Sequence, residues 1–187
     1  MCLMKNFLTH GDGSCVSERF MKQDKATVNR ELERILSVLV GKQIVATKRM
    51  CGTRYLYFDG PAEEECYLDL QCPWRFEKDG EIVVGSDDIA LPGPGVSNEQ
   101  WALNEPQGNL QDHLIGELLA ASTESKLLVE QVHADSCGGF SITTPGNLIL
   151  RVFPASRSEM EWRLAAPRTE PSVVYMDSRL HIIEPED

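Results

Sequence analysis

Glu65-Cys66-Tyr67-Leu68-Asp69-Leu70-Gln71-Cys72-Pro73-Trp74-Arg75-Phe76-Glu77-Lys78-Asp79-Gly80-Glu81-Ile82-Val83-Val84 is the stretch whose reading decides the fold. Tyr67, Leu68 and Leu70 mark a strand over 65–72. Pro73 has no N–H to donate to a ladder, so the strand ends there. Lys78-Asp79-Gly80 is a hairpin signal, because a tight two-residue turn needs left-handed backbone that Asp and Gly accept. It predicts paired strands over 75–77 and 81–84.

Upstream, Val28, Leu32, Ile35, Leu36, Leu39 and Val40 recur at helical spacing with charged residues between them, which predicts an amphipathic helix. Asp24 or Thr27 is suited to cap it and Gly41 to end it. Strands are predicted over 43–50 and 55–58, with Asp59-Gly60 turning the chain. Taken with the hairpin, 43–84 reads as one antiparallel meander.

Downstream, Leu91-Pro92-Gly93-Pro94-Gly95 marks a surface loop. A second helix is predicted over 110–121 behind an Asn109 cap, with Leu110, Leu114, Ile115, Leu118 and Leu119 on one face. Strands follow over 126–134, 140–143, 148–153 and 160–164, and 173–175 and 180–183 suit a final hairpin. Strands come in runs rather than alternating with helices. That order predicts an α+β fold with antiparallel sheets, two main helices and one compact domain. The expected organisation is an irregular arm over 1–23, a core over 24–165, and a C-terminal hairpin with an acidic tail over 166–187.

The 187 residues carry a net charge of −11. Residues 41–125 hold most of it, with 15 acidic against 6 basic side chains. A nucleic-acid backbone needs a concentrated basic face, so nucleic acid is not the expected partner. A basic protein is compatible, because opposite charge steers association. Acidity also keeps a protein soluble without any partner. No apolar run approaches the ~18 residues a membrane helix needs, and Met1–His10 lacks the apolar core of a secretory signal. A cytoplasmic location with no membrane contact is the expectation, and the six cysteines are then expected as free thiols.

No phosphate-binding glycine motif and no CxxC pair occurs, so neither a cofactor nor a metal is expected. A cysteine hydrolase needs a thiolate beside an imidazole. Cys72 or Cys137 would supply the thiol, His133 or His113 the base, and Asp135 the orienting carboxylate. Gly138-Gly139 would offer backbone N–H groups for an oxyanion hole. His133 and Asp135 share a strand face and also suit an exposed polar edge. Cysteine otherwise packs as a small hydrophobe. The acidic runs Glu63-Glu64-Glu65 and Asp87-Asp88 suit either a solvated loop or a basic partner. Trp74 either seals the sheet edge or anchors an interface, and Arg75 is placed to pair with Asp69, Asp87 or Asp88. Trp101, after the Pro/Gly loop, is a further candidate anchor.

The run Tyr67 to Phe76 with its Cys-Pro-Trp-Arg motif, then Gly80 to Asp88, resembles a family of small bacterial cytosolic proteins. Gly41-Lys42, Met50-Cys51-Gly52, Phe58-Asp59-Gly60, Asp135 to Gly139, 148–153 and Glu161 to Leu164 fit the same pattern, so the likeness spans about 40–165. Such proteins resemble the acidic immunity factors encoded beside secreted bacterial toxins. The resemblance implies a cytoplasmic binding protein that neutralises a toxin domain by protein–protein contact. It would use Glu63, Glu64, Glu65, Trp74, Arg75, Asp87, Asp88 and Trp101. The alternative is a hydrolase using Cys137 or Cys72 with His133.

Overall fold

A computed structural model describes residues 18–20, 25–50, 52–60, 66–97, 99, 101, 108–121, 127–166 and 171–183. Twelve strands and two α-helices lie among them, and every strand pairing is antiparallel. Strands β1 (Glu18–Phe20), β2 (Ile44–Met50), β3 (Thr53–Phe58), β4 (Cys66–Leu70), β10 (Met160–Ala165), β11 (Ser172–Met176) and β12 (Arg179–Ile183) form a seven-stranded sheet, in the order β1-β12-β11-β10-β4-β3-β2. Strands β5 (Trp74–Lys78), β6 (Glu81–Gly85), β7 (Gln131–Ala134), β8 (Phe140–Thr144) and β9 (Leu148–Val152) form a five-stranded sheet, in the order β6-β5-β9-β8-β7. The α+β class follows as expected.

The expected single meander over 43–84 is divided. β2, β3 and β4 are a meander in the first sheet, and the β5–β6 hairpin belongs to the second. Pro73 is the reason: the chain leaves the ladder there, and Gln71-Cys72-Pro73 carries it across. The return crossing, 153–159, lies beside this one. Phe153 N–H donates to the Pro73 carbonyl at 2.8 Å, and the N–H groups of Gln71 and Cys72 both donate to the Glu161 carbonyl at 2.9 Å. The buried Glu161 carboxylate accepts from the N–H groups of Ala155 and Ser156. These bonds serve the backbone groups that two adjacent crossovers would otherwise strand.

Each sheet turns one face into a common core. Leu56, Phe58, Leu68, Leu70, Trp162, Leu164, Val173 and Ile182 come from the seven-stranded sheet, and Trp74, Phe76, Val84, Phe140, Ile142, Leu150 and Val152 from the other. Trp162 joins the layers: it meets Phe140 edge-on at 4.9 Å and stacks on Tyr175 at 6.0 Å, while its Nε1–H donates to the Gly138 carbonyl at 2.8 Å. The hairpin β11–β12 buries Val173, Tyr175, Leu180 and Ile182 in the same core. The hairpin expected after residue 165 thus packs on the same core as the rest. Of the arm expected over 1–23, Glu18–Phe20 pairs with β12 and the remainder lies outside the described residues.

Helix α1 (Lys25–Leu36) and a turn of 3₁₀ helix (Ser37–Leu39) bury Leu32, Ile35, Leu36 and Leu39, and pack against β7. Glu33 of α1 accepts the Ala134 N–H at 3.0 Å, covering part of the β7 edge. Helix α2 (Leu110–Ala121) packs against β6 and a 3₁₀ turn (Ser86–Ala90). Asn109 caps α2 as expected, with its Oδ1 accepting the Asp112 N–H at 2.8 Å.

Candidate functional site

The structure separates the residues singled out for nucleophilic chemistry. Cys72 lies in the crossover between β4 and β5, 5% exposed. Burial, reinforced by the Glu161 charge, pushes its thiol up to about 12, so it holds its proton at neutral pH. Cys137 is exposed in the β7–β8 turn. There Asp135 Oδ1 accepts the N–H groups of Cys137 at 2.7 Å and Gly139 at 2.9 Å. Asp135 thus closes its own turn, and of the Gly138 and Gly139 donors expected for an oxyanion hole that of Gly139 is already engaged. His133 is exposed on β7, with Nδ1 3.9 Å from Glu33 Oε1. No hydrogen bond among the described residues joins His133 to either cysteine. His113, on α2, faces Glu117 at 3.3 Å. Among the described residues no group of three His, Cys, Asp or Glu is placed to hold a metal.

The contact residues that are described differ in their surroundings. Trp74 is 4% exposed and meets Phe76 edge-on at 6.1 Å, so it is core and offers nothing to a partner. Arg75 pairs with Glu77 at 2.5 Å instead of Asp69, Asp87 or Asp88, and lies 4.8 Å over the Phe153 ring. Alternation explains both: once Trp74 faces the core, Arg75 and Glu77 face out together on the five-stranded sheet. Arg151 reaches the same Glu77 carboxylate at 2.7 Å, and the bonds from Arg151 and Arg75 hold it below the usual range against the opposing effect of burial. Asp88 Oδ2 accepts the Gly85 N–H at 2.7 Å, and Asp87 accepts from Ser86 Oγ at 3.4 Å, both within the 3₁₀ turn. Trp101 is half-buried. Glu63, Glu64 and Glu65 lie outside the described residues.

The outer face of the seven-stranded sheet holds what the sequence did not reveal. Leu56, Leu68, Trp162 and Leu164 point into the core, so Tyr55 and Tyr57 on β3, Tyr67 and Asp69 on β4, and Arg163 on β10 point away from it. Register sets them side by side. Lys48 stands opposite Tyr55, Tyr55 opposite Asp69, and Asp69 opposite Arg163, while Tyr57 stands opposite Tyr67. The Tyr67 ring lies 6.0 Å from that of Tyr55 and 5.7 Å from that of Tyr57. Lys48 Nζ sits 5.2 Å from the Tyr57 ring centre, and the Arg163 guanidinium 5.4 Å from that of Tyr67.

Beneath this layer lies a buried carboxylate. Asp69 is 2% exposed, with Arg163 Nη2 at 3.5 Å and Gln71 Nε2 at 3.4 Å. Burial raises its pKa, and Arg163 and Gln71 offset only part of that. Arg163 Nη2 also donates to Tyr67 Oη at 2.9 Å, which fixes the guanidinium on the ring. Burial, and then the Asp69 charge, raise the Tyr55 phenol in turn. Exposed acids flank the strand ends: Asp59 after β3, Glu159 before β10, and Asp177 between β11 and β12. The i, i+2 pairs Tyr55/Tyr57, Tyr67/Asp69 and Glu161/Arg163 are visible in sequence. That β10 pairs with β4 is not. Comparison with protein-family models, curated proteins and solved structures found no match.

Proposed function

We propose that this chain is a binding protein of the immunity type, which neutralises a toxin domain in the cytoplasm by protein–protein contact. The contact face is the outer face of the seven-stranded sheet. The observation that carries this reading is the cluster of three tyrosines, with the Tyr67 ring against those of Tyr55 and Tyr57 and with Lys48 and Arg163 over the rings of Tyr57 and Tyr67. Tyrosine and arginine dominate interface energetics because they bring large, rigid area together with polar ends. Neither helix packs principally on this face, since α1 lies against β7 and α2 against β6. The net charge of −11 favours a basic partner, and Asp59, Glu159 and Asp177 are exposed at the ends of strands of this sheet. No helix among the described residues is long and apolar enough to cross a membrane. The alternative, a hydrolase using Cys137 or Cys72 with His133, has no specific observation in its favour.

The test is capture of the partner from the native host at low salt, with the neighbouring gene's product co-expressed as a direct candidate. The captured protein must be toxic alone and silenced by this chain. Tyr57→Ala and Tyr67→Ala should each weaken the complex about thirtyfold, as loss of an interface anchor does. Cys137→Ser should leave it unchanged. Tyrosine variants that remain folded and bind as tightly as the parent would sink the assignment of this face.

A further inference from the structure

The geometry points to a specific chemistry at the centre of this face: Arg163 receives a carboxylate that the partner presents within basic surroundings. This inference rests on the binding reading above and specifies the partner's contact group.

Arg163 is held in place without being used up. Its Nη2 is engaged by Tyr67 Oη at 2.9 Å and faces Asp69 at 3.5 Å. Its Nε is buried with no partner, and its Nη1 makes no hydrogen bond among the described residues. The side chain is 35% exposed, so with Nε buried the donors left to solvent are at the Nη end. A guanidinium so oriented is preformed for a carboxylate, because planar N–H groups match two carboxylate oxygens and little rotamer freedom remains to be lost. Tyr67 supplies flat apolar area against the guanidinium, Tyr55 stands one strand further along the paired row, and Lys48 lies at the far end of that row on β2.

Local charge selects the group. The row holds two cations and one carboxylate, and that carboxylate is buried under Arg163. The centre is therefore net positive within a chain whose overall charge is −11. A uniformly acidic partner would be repelled by that overall charge. A uniformly basic one would set cations against Arg163. An exposed carboxylate ringed by lysines or arginines matches both the centre and the overall charge. Screening over roughly 8 Å at physiological salt lets the two act separately.

The probe is a pentapeptide of four lysines around a central glutamate, compared with its twin carrying glutamine. Both are titrated into isotope-labelled protein, and the ring resonances of Tyr55, Tyr57 and Tyr67 are followed. The glutamate peptide should bind about tenfold more tightly than the glutamine peptide, the gain expected of one charge-assisted carboxylate contact. The difference should vanish in the double variant Asp69→Asn/Arg163→Gln, which removes both charges together and so avoids stranding a buried charge. Equal binding of the two peptides would overturn the carboxylate inference while leaving the tyrosine face to be judged by its alanine variants. Absence of any shift at these rings, or a preference that survives in the double variant, would overturn it as well.

Discussion

Gly138 shows how much one residue decides. Its φ is +79°, a left-handed conformation that costs little only for glycine. Its α-carbon lies against the Tyr175 ring, and a Cβ there would overlap ring atoms. Its carbonyl accepts the buried Trp162 Nε1–H, so the turn, the ring and the central tryptophan form one packed unit. Gly138→Ala combines backbone strain with overpacking and should lower unfolding free energy by about 2–4 kcal/mol. Urea denaturation measures this, and a loss under about 0.5 kcal/mol would show that the turn relaxes freely away from Tyr175. The sequence hid this unit because Trp74-Arg75 and Trp162-Arg163 look alike. In both pairs tryptophan goes inward and arginine outward, as strand alternation demands. What each arginine then meets differs: Arg75 meets Glu77, two residues along its own strand, and Phe153, whereas Arg163 meets Asp69 and Tyr67 across the strand pair.

At the scale of elements, local chemistry was legible and partnership was not. Helix α2 spans the expected 110–121, and the Asp79-Gly80 turn joins β5 to β6 with φ values of +52° and +85°. The strand expected over 126–134 is shorter, because Leu127, Leu128 and Val129 instead pair with 42–44 as the chain approaches β7. No periodicity announces that β9 comes between β5 and β8, since such pairings join segments far apart in the chain. A buried network holds β2, β3, α2 and β6 together in the same non-local way. Arg54, 3% exposed, donates to Gln111 Oε1 and to Asp112 Oδ1, each at 2.5 Å. Arg49 reaches Asp112 at 3.0 Å, and Gln111 Nε2 donates to the carbonyls of Gly85 and Ser86. Burial alone would raise the Asp112 carboxyl, but hydrogen bonds from Arg54, Asn109 and Arg49 outweigh it and the pKa lies below the usual 3.8. A depressed folded-state pKa means stability that is fully present above the unfolded value and lost as pH falls through the folded one. Asp112→Asn leaves Arg54 buried without its counter-charge and should cost about 3 kcal/mol at pH 7. In urea titrations the gap between parent and variant should begin to narrow below about pH 3.8 and close only as pH falls through the lower folded-state value. A gap independent of pH would assign the cost to lost packing.

Over the whole molecule, part of the acidic excess seen in sequence is taken up by pairing among the described residues. Of the carboxylates in 41–125, Glu77 is bound by two arginines, Asp69 and Asp112 are paired with arginine, and Asp88 closes its own turn. Both sheets carry cation–aromatic contacts, Lys48 on Tyr57 and Arg163 on Tyr67 on one, Arg75 on Phe153 on the other. Exposed acids gather instead in turns and at strand ends. Counting charges along the chain cannot show this, because pairing removes some from the field and topology sets where the rest lie. Steering must then depend on where an acid sits as well as on the total. Glu159→Lys with Asp177→Lys changes charge beside the tyrosine face; Glu81→Lys with Asp87→Lys makes the same change by β6 and the 3₁₀ turn that follows it. Both pairs leave the net charge at −7, four units from −11. If the basic partner docks on the tyrosine face, the first pair should slow association about tenfold at low salt and flatten its salt dependence, while the second should change it far less. Stopped-flow mixing over a salt series reads both. Equal slowing by the two pairs would mean that the partner senses only total charge and that these acids do not locate the interface.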